Sequence, residues 1–153
     1  MRECLEARFP GATEADPPSF VADAVALIGR LLRGEKVDLG GIPVDPEGAS
    51  ALERKVYEAA RRIPCGEVRT YGEIAREIGV PGSAQAVGAA LGRNPIPIVV
   101  PCHRVLASAG RSGGFSAPGG VDTKFRMLEI EGARRVGEAG LFDALPLAVK
   151  PRG

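Results

Sequence analysis

The sequence predicts a mostly α-helical fold with a short strand or extended segment, a helix-turn-helix near its middle and a reduced N-terminal region in front. Three observations carry this reading. Apolar residues recur at helical spacing in several stretches. Ser or Thr stands before two of those stretches with Glu three residues on, the signature of a capping box. A β-branched run, "IPIVV" at 96–100, is too short and too rich in proline to continue a helix.

The elements follow in order. After the loop "DPPS", the segment "FVADAVALIGRLLRG" places Phe20, Val21, Ala24, Leu27, Ile28, Leu31 and Leu32 on one helical stripe, with Ser19 as cap and Gly34 as stop. "VDLGGIPVDPEG" is turn-rich and reads as a linker. Ser50 caps "ALERKVYEAARRI", with Glu53 completing the box, and "PCGEV" breaks that helix. Thr70 caps a short helix to about Ile78, again with Glu at the third position, Glu73. "GVPG" is a turn, and Ser83 opens a second helix to about Leu91. Two short helices joined by a Gly-containing turn form a helix-turn-helix. The second is crowded with small residues, Ala84, Ala86, Gly88, Ala89, Ala90 and Gly92. Such residues suit close packing against a neighbouring helix and equally close approach to a DNA groove. "IPIVV" then leads to Cys102, "GRSGGFSAPGG" is a glycine-rich loop, and a last helix runs from about Asp122 to Glu131 with Phe125, Leu128 and Ile130 toward the core. The tail from Gly132 is expected to be loosely held. The boundaries are therefore 1–48, 49–135 and 136–153.

A chain of 153 residues with 44% hydrophobic content suits one domain with a small appendage. No apolar run approaches a membrane span, and the N-terminus lacks the apolar stretch of a signal peptide, so the expected location is the cytoplasm. Cys4, Cys65 and Cys102 cannot all pair with one another, and reduced thiols are expected. One His and three Cys, widely spaced, give no metal site. Net charge is +1, but residues 1–50 hold 5 basic against 9 acidic side chains and residues 51–153 hold 15 against 10. The positive field thus lies on the later part. That is a modest bias toward a polyanion, which a solvated surface explains nearly as well.

The chemistry concentrates in "VVPCHRVL", where His103, the single histidine of the chain, follows Cys102. The thiolate is the nucleophilic form of cysteine, and a neighbouring imidazole can take its proton directly or through a water. On an extended strand adjacent side chains point to opposite faces, so cooperation requires a turn or a bridging water. Pro101 makes the turn credible.

In sequence order, "IPCGEVRTYGEIA", "AVGAAL", "RNPIPIVVPCHRV" and "GGFSAPGG" with a following Lys and Glu resemble the O6-alkylguanine-DNA alkyltransferases, from about Leu52 to Gly132. The resemblance implies a helix-turn-helix-containing alkyltransferase catalytic domain. Its implied reaction is irreversible transfer of an alkyl group from guanine O6 to a cysteine, once per molecule and without a cofactor. The partner it implies is double-stranded DNA containing O6-alkylguanine, with the base flipped through the minor groove. A monomer suffices for that task.

By the same resemblance Cys102 matches the alkyl acceptor and His103 the residue that deprotonates it through a water. Glu131 matches the carboxylate that orients the imidazole, and Asn94 the asparagine bracing the turn before the active site. Tyr71 matches the tyrosine that donates to guanine. Val105 backbone, Phe115 and Ser116 match the base pocket, and Lys124 a structural lysine. DNA contacts are expected from Ser83, Ala84, Gln85, Ala86, Arg93 and Arg104.

Three positions depart from the family pattern. Gln85 stands where the family has an arginine that enters the base stack; it is neutral and shorter, so flipping should be less well held. Phe115 replaces a tyrosine of some members, and Tyr57 replaces a common tryptophan. The first 50 residues match weakly, leaving no separate activity expected there. An alternative reading is a protein that recognises alkylated DNA with little or no repair; such proteins replace the acceptor cysteine, which this chain keeps. A helix-turn-helix regulator with a sensing cysteine and a cysteine hydrolase fit less well.

Overall fold

The computed structural model describes residues 6–7, 10–108 and 119–135. Helix α1 spans Ser19–Leu32, α2 Ala51–Arg61, α3 Tyr71–Glu77, α4 Ala84–Gly92 and α5 Gly120–Ile130. Strands β1 (Glu67–Thr70), β2 (Val105–Leu106) and β3 (Arg134–Arg135) form a small sheet in the order β2-β1-β3. Both pairings are parallel: Arg69 faces Val105 and Thr70 faces Leu106 on one edge, while Glu67 faces Arg134 and Val68 faces Arg135 on the other.

Both capping boxes form as the sequence predicts. Glu53 N–H donates to Ser50 Oγ at 3.3 Å and Ser50 N–H to Glu53 Oε2 at 2.8 Å. Glu73 N–H donates to Thr70 Oγ1 at 3.2 Å and Thr70 N–H to Glu73 Oε2 at 2.6 Å. Each box satisfies amide groups that a helix start leaves open. Ser83 precedes α4, but its side chain makes no cap hydrogen bond, and Pro18 rather than Ser19 stands at the start of α1.

Helices α2, α3 and α4 pack around one cluster that includes Val56, Tyr57, Ile63, Ile74, Val87, Ala90, Leu91, Val100, Cys102 and Val105. Small residues on α4 allow this approach. Ala90 is fully buried, its carbonyl takes a hydrogen bond from Tyr57 Oη at 3.1 Å, and a Cβ at Gly88 would lie 3.8 Å from the Tyr71 ring. Tyr57 thus fills the core and also ties α2 to α4. A second cluster joins Val68, Leu106, Leu128 and Ala133 across the sheet and α5.

Three expectations change. "IPIVV" is not a regular strand: an isolated bridge between Pro97 and Val100 closes a turn, and the true strands lie at 67–70, 105–106 and 134–135. Proline at 97 removes a ladder donor, which disfavours a regular strand there. The turn-rich segment after α1 is no free linker, because Val37 and Leu39 are buried with Leu31 and Met127. The chain after Gly132 is anchored through Ala133 and β3, where pairing with β1 satisfies backbone groups; residues 136–153 lie outside the described residues. Among the described residues no helix is long and apolar enough to cross a membrane.

Candidate active site

Pro101 ends the turn and the chain enters a 3-10 turn, Cys102–Arg104, that feeds β2. This supplies the bend that a neighbouring Cys and His need. Both are buried, as are Arg104 and Glu131. Helix α5 ends beside the turn and presents Glu131 at its C-cap.

His103 Nε2 lies 2.9 Å from Glu131 Oε1. Burial alone would raise the Glu131 pKa, but hydrogen bonds from His103 and Arg104, together with their charges, hold it at about 2. An ionised carboxylate only accepts, so Nε2 carries the proton of that bond, and in a neutral imidazole the free lone pair is then on Nδ1. Arg104 completes the cluster. Its Nε donates to Glu131 Oε2 at 2.9 Å, its Nη2 to Glu131 Oε1 at 2.9 Å and its Nη1 to the Ile63 carbonyl at 2.6 Å. A bidentate guanidinium–carboxylate fork fixes orientation as well as charge.

The expected DNA contact by Arg104 is therefore corrected. The side chain is 5% exposed and its guanidinium is committed to Glu131 and Ile63, so it holds the carboxylate rather than reaching a phosphate.

Burial pushes the Cys102 thiol up from its ordinary value, against a hydrogen bond from the Asn94 side chain, the charge of Lys124 and the amides of Cys102 and His103. Asn94 also donates from Nδ2 to the Val100 carbonyl at 2.9 Å and accepts from Ile96 N–H at 3.0 Å. It thus staples the turn that leads to the thiol.

Lys124 is more than a distant structural lysine. It is 0% exposed, donates to the Val105 carbonyl at 2.7 Å, and lies 3.4 Å from Tyr71 Oη and 5.6 Å from the Tyr71 ring centroid. Burial pulls its amine down to about 8, with the Cys102 thiolate charge acting in the opposite direction. The Tyr71 hydroxyl is pushed up by burial and by Cys102, which keeps it a proton donor. Lys124 and Glu131 were marked in the sequence by the family resemblance alone; they stand near the start and at the C-cap of α5. Nothing in the sequence marks Arg104 as buried.

The structure thus brings Cys102, His103, Glu131, Asn94 and Tyr71 around one site, with Val105 contributing its carbonyl to Lys124. Ser83, Ala84 and Ala86 are half-buried at the front of α4, and Gln85 is exposed there. Arg93 is mostly exposed at the other end and pairs with Glu53 at 2.6 Å. Phe115 and Ser116 lie outside the described residues. No group of metal-ligating side chains occurs among the described residues.

Comparison with known proteins decides the family. The model of the 6-O-methylguanine DNA methyltransferase DNA-binding domain matches residues 51–133. This chain belongs to that family. A methylated-DNA–protein-cysteine methyltransferase of Mycolicibacterium paratuberculosis is 44% identical over 126 residues, 82% of this chain and 74% of that protein. One of Salmonella typhimurium is 51% identical over 130 residues, 85% of this chain and 68% of that protein. The crystal structure of Mycobacterium tuberculosis O6-methylguanine methyltransferase aligns with TM-score 0.64 and 41% identity over 84% of this chain and 74% of that one. The Mycobacterium tuberculosis protein OGT in complex with DNA aligns at TM-score 0.63 and 43% identity over 71% of this chain and 63% of that one.

Proposed function

We propose that this methyltransferase-family chain repairs O6-alkylguanine in double-stranded DNA by moving the alkyl group irreversibly onto Cys102. The observation that supports the residue assignment is that Cys102 and His103 are both buried in one 3-10 turn, with the imidazole hydrogen-bonded to Glu131. Burial keeps the thiol protonated at rest, so the proton must leave before attack. His103 Nδ1 takes it through a water. The thiolate then attacks the alkyl carbon, an S–C bond forms and the C–O6 bond breaks. The electron pair stays with guanine, and Tyr71 Oη donates a hydrogen bond or proton to the departing base. Lys124 supports both partners electrostatically.

The front of α4, from Ser83 to Ala86, and Arg93 serve as the DNA-facing residues, with Gln85 filling the gap left by the flipped base. The recognition-only alternative is not favoured, since Cys102 and its supporting residues are present together. Residues 1–48 carry no separate activity in this reading, and the acting species is a monomer.

The test is intact-protein mass after incubation with a duplex holding one O6-methylguanine. A single added methyl, mapped to Cys102 by digestion, is expected. Cys102→Ser should bind the same duplex and gain nothing. Transfer retained in Cys102→Ser, or no mass gain by the native chain despite binding, overturns the assignment.

A further inference from the structure

The turn between α4 and Cys102 contains a conformation that the sequence does not favour. Ile98 has φ 76°, the lone positive value outside glycine among the described residues. Glycine takes this region freely, whereas a β-branched side chain there is a steric outlier. A strained residue persists where its surroundings over-determine it. The Ile98 side chain supplies the reason for its retention: it packs against the cluster of Leu31, Val37, Leu39 and Met127. Three of those four come from residues 1–48, and the fourth from α5, the helix that carries Lys124 and Glu131.

The other side of the same turn faces the thiol. Val100 N–H donates to the Ile96 carbonyl at 2.9 Å, closing the chain around Ile98. The Val100 carbonyl accepts both Asn94 Nδ2 at 2.9 Å and Cys102 N–H at 2.8 Å. The Asn94 side chain also counters the rise that burial imposes on the thiol pKa. The direction of one carbonyl therefore ties the backbone at Ile98 to the position of Cys102.

We propose that Ile98 is a positioning residue for Cys102, and that Leu31, Val37 and Leu39 of the N-terminal region serve to grip its side chain. Leu31, Val37 and Leu39 hold the turn in its left-handed conformation from behind, while Asn94 reads that conformation out to the thiol. The proposal rests on Cys102 being the acceptor, and its first readout needs no DNA.

The experiment uses the full chain with Ile98→Gly, Ile98→Val and Leu39→Ala. Glycine keeps the backbone angle and removes the grip, valine keeps a β-branched apolar anchor, and Leu39→Ala weakens the grip from the N-terminal side. Cys102 carboxamidomethylation by iodoacetamide is followed against pH by peptide mass, and methyl uptake from saturating O6-methylguanine duplex is followed in single turnover. Thermal denaturation and duplex affinity are measured alongside.

In Ile98→Gly the Val100 carbonyl should no longer hold Asn94 and the Cys102 backbone together, so the thiol loses the support of Asn94 and the pH midpoint of carboxamidomethylation should rise. Saturated transfer should slow by about tenfold or more at unchanged duplex affinity, as misplacement of a reacting group does. Ile98→Val should restore both readouts, and Leu39→Ala should move them in the same direction by less. A folded Ile98→Gly with native midpoint and native saturated rate would reduce Ile98 to core packing and overturn the proposal. Should Ile98→Gly fail to fold, Leu39→Ala decides by the same two readouts. A native chain that takes no methyl sinks the repair reading, while the iodoacetamide midpoint still decides the role of Ile98.

Discussion

The α3–α4 helix pair and the buried cluster behind Cys102 share one core, yet they are built from different distances along the chain. The start of α3 is organised by Thr70 and Glu73, three residues apart, and the helix pair is closed by a short turn. The cluster joins His103 and Arg104 to Glu131 across 28 and 27 positions, and Arg104 to Ile63 across 41. The first region uses local hydrogen bonds worth about 1 kcal/mol each. The second is a set of buried charges, where each partner compensates the desolvation of the others. Local devices should therefore yield by small steps, and the buried cluster should fail as a unit.

The sharpest break is Glu131→Gln. It removes the carboxylate that receives three hydrogen bonds and leaves the Arg104 guanidinium buried with Ile63. Urea unfolding should show a loss of about 3–5 kcal/mol, the usual cost of stripping one partner from a buried pair. Transfer should fall to near zero even where the variant is folded. The pH dependence has a definite sign. The folded carboxyl sits at about 2 against an ordinary 4.5, so its stabilisation is fully present above 4.5 and is lost as pH falls toward and through 2. The glutamine variant should lack that acid limb.

Lys124→Met sharpens the contrast by removing charge while keeping a long apolar side chain. Single-turnover transfer should slow by about tenfold or more, in the range of a lost positioned electrostatic group. The folded amine at about 8 lies below its ordinary 10.5, so the unfolded chain binds more protons between those values. Stability of the native chain should therefore rise with pH across that window, by at most ~3 kcal/mol. The methionine variant should stay flatter in parallel denaturation series.

Thr70→Ala probes the local region. It deletes one half of the α3 box and should cost about 1 kcal/mol in urea unfolding, with transfer at saturating duplex little changed. The smallest effect is expected on the exposed side of α4. Gln85→Arg should speed transfer from duplex DNA by about a few fold, because a guanidinium can stack and bond where the amide cannot. Reaction with free O6-methylguanine base should not change. Equal acceleration of both substrates would show that Gln85 does not act through flipping.

What could be read in the chain follows the same division. The capping boxes at Ser50 and Thr70 and the helix-turn-helix depend on neighbours in sequence, and the structure keeps them. The family was legible because four short contiguous motifs, "PCHRV" within one of them, follow in order from about Leu52 to Gly132. Strand β1 was missed because four residues, "EVRT", carry no alternation strong enough to mark a strand. Its pairing partners lie far along the chain, at 105–106 and 134–135.

By itself the sequence determined the helices, the capped starts at Ser50 and Thr70 and the adjacency of thiol and imidazole, since each depends on residue type and short spacing, while the reaction class came from the family resemblance. Tertiary structure decided that Arg104 faces inward to Glu131, that Lys124 stands beneath Tyr71, and that Ile98 is held in a left-handed turn. The physical reason is burial. A charge or a strained backbone is tolerated inside a protein according to which distant groups surround it, and those neighbours exist only after the chain has folded.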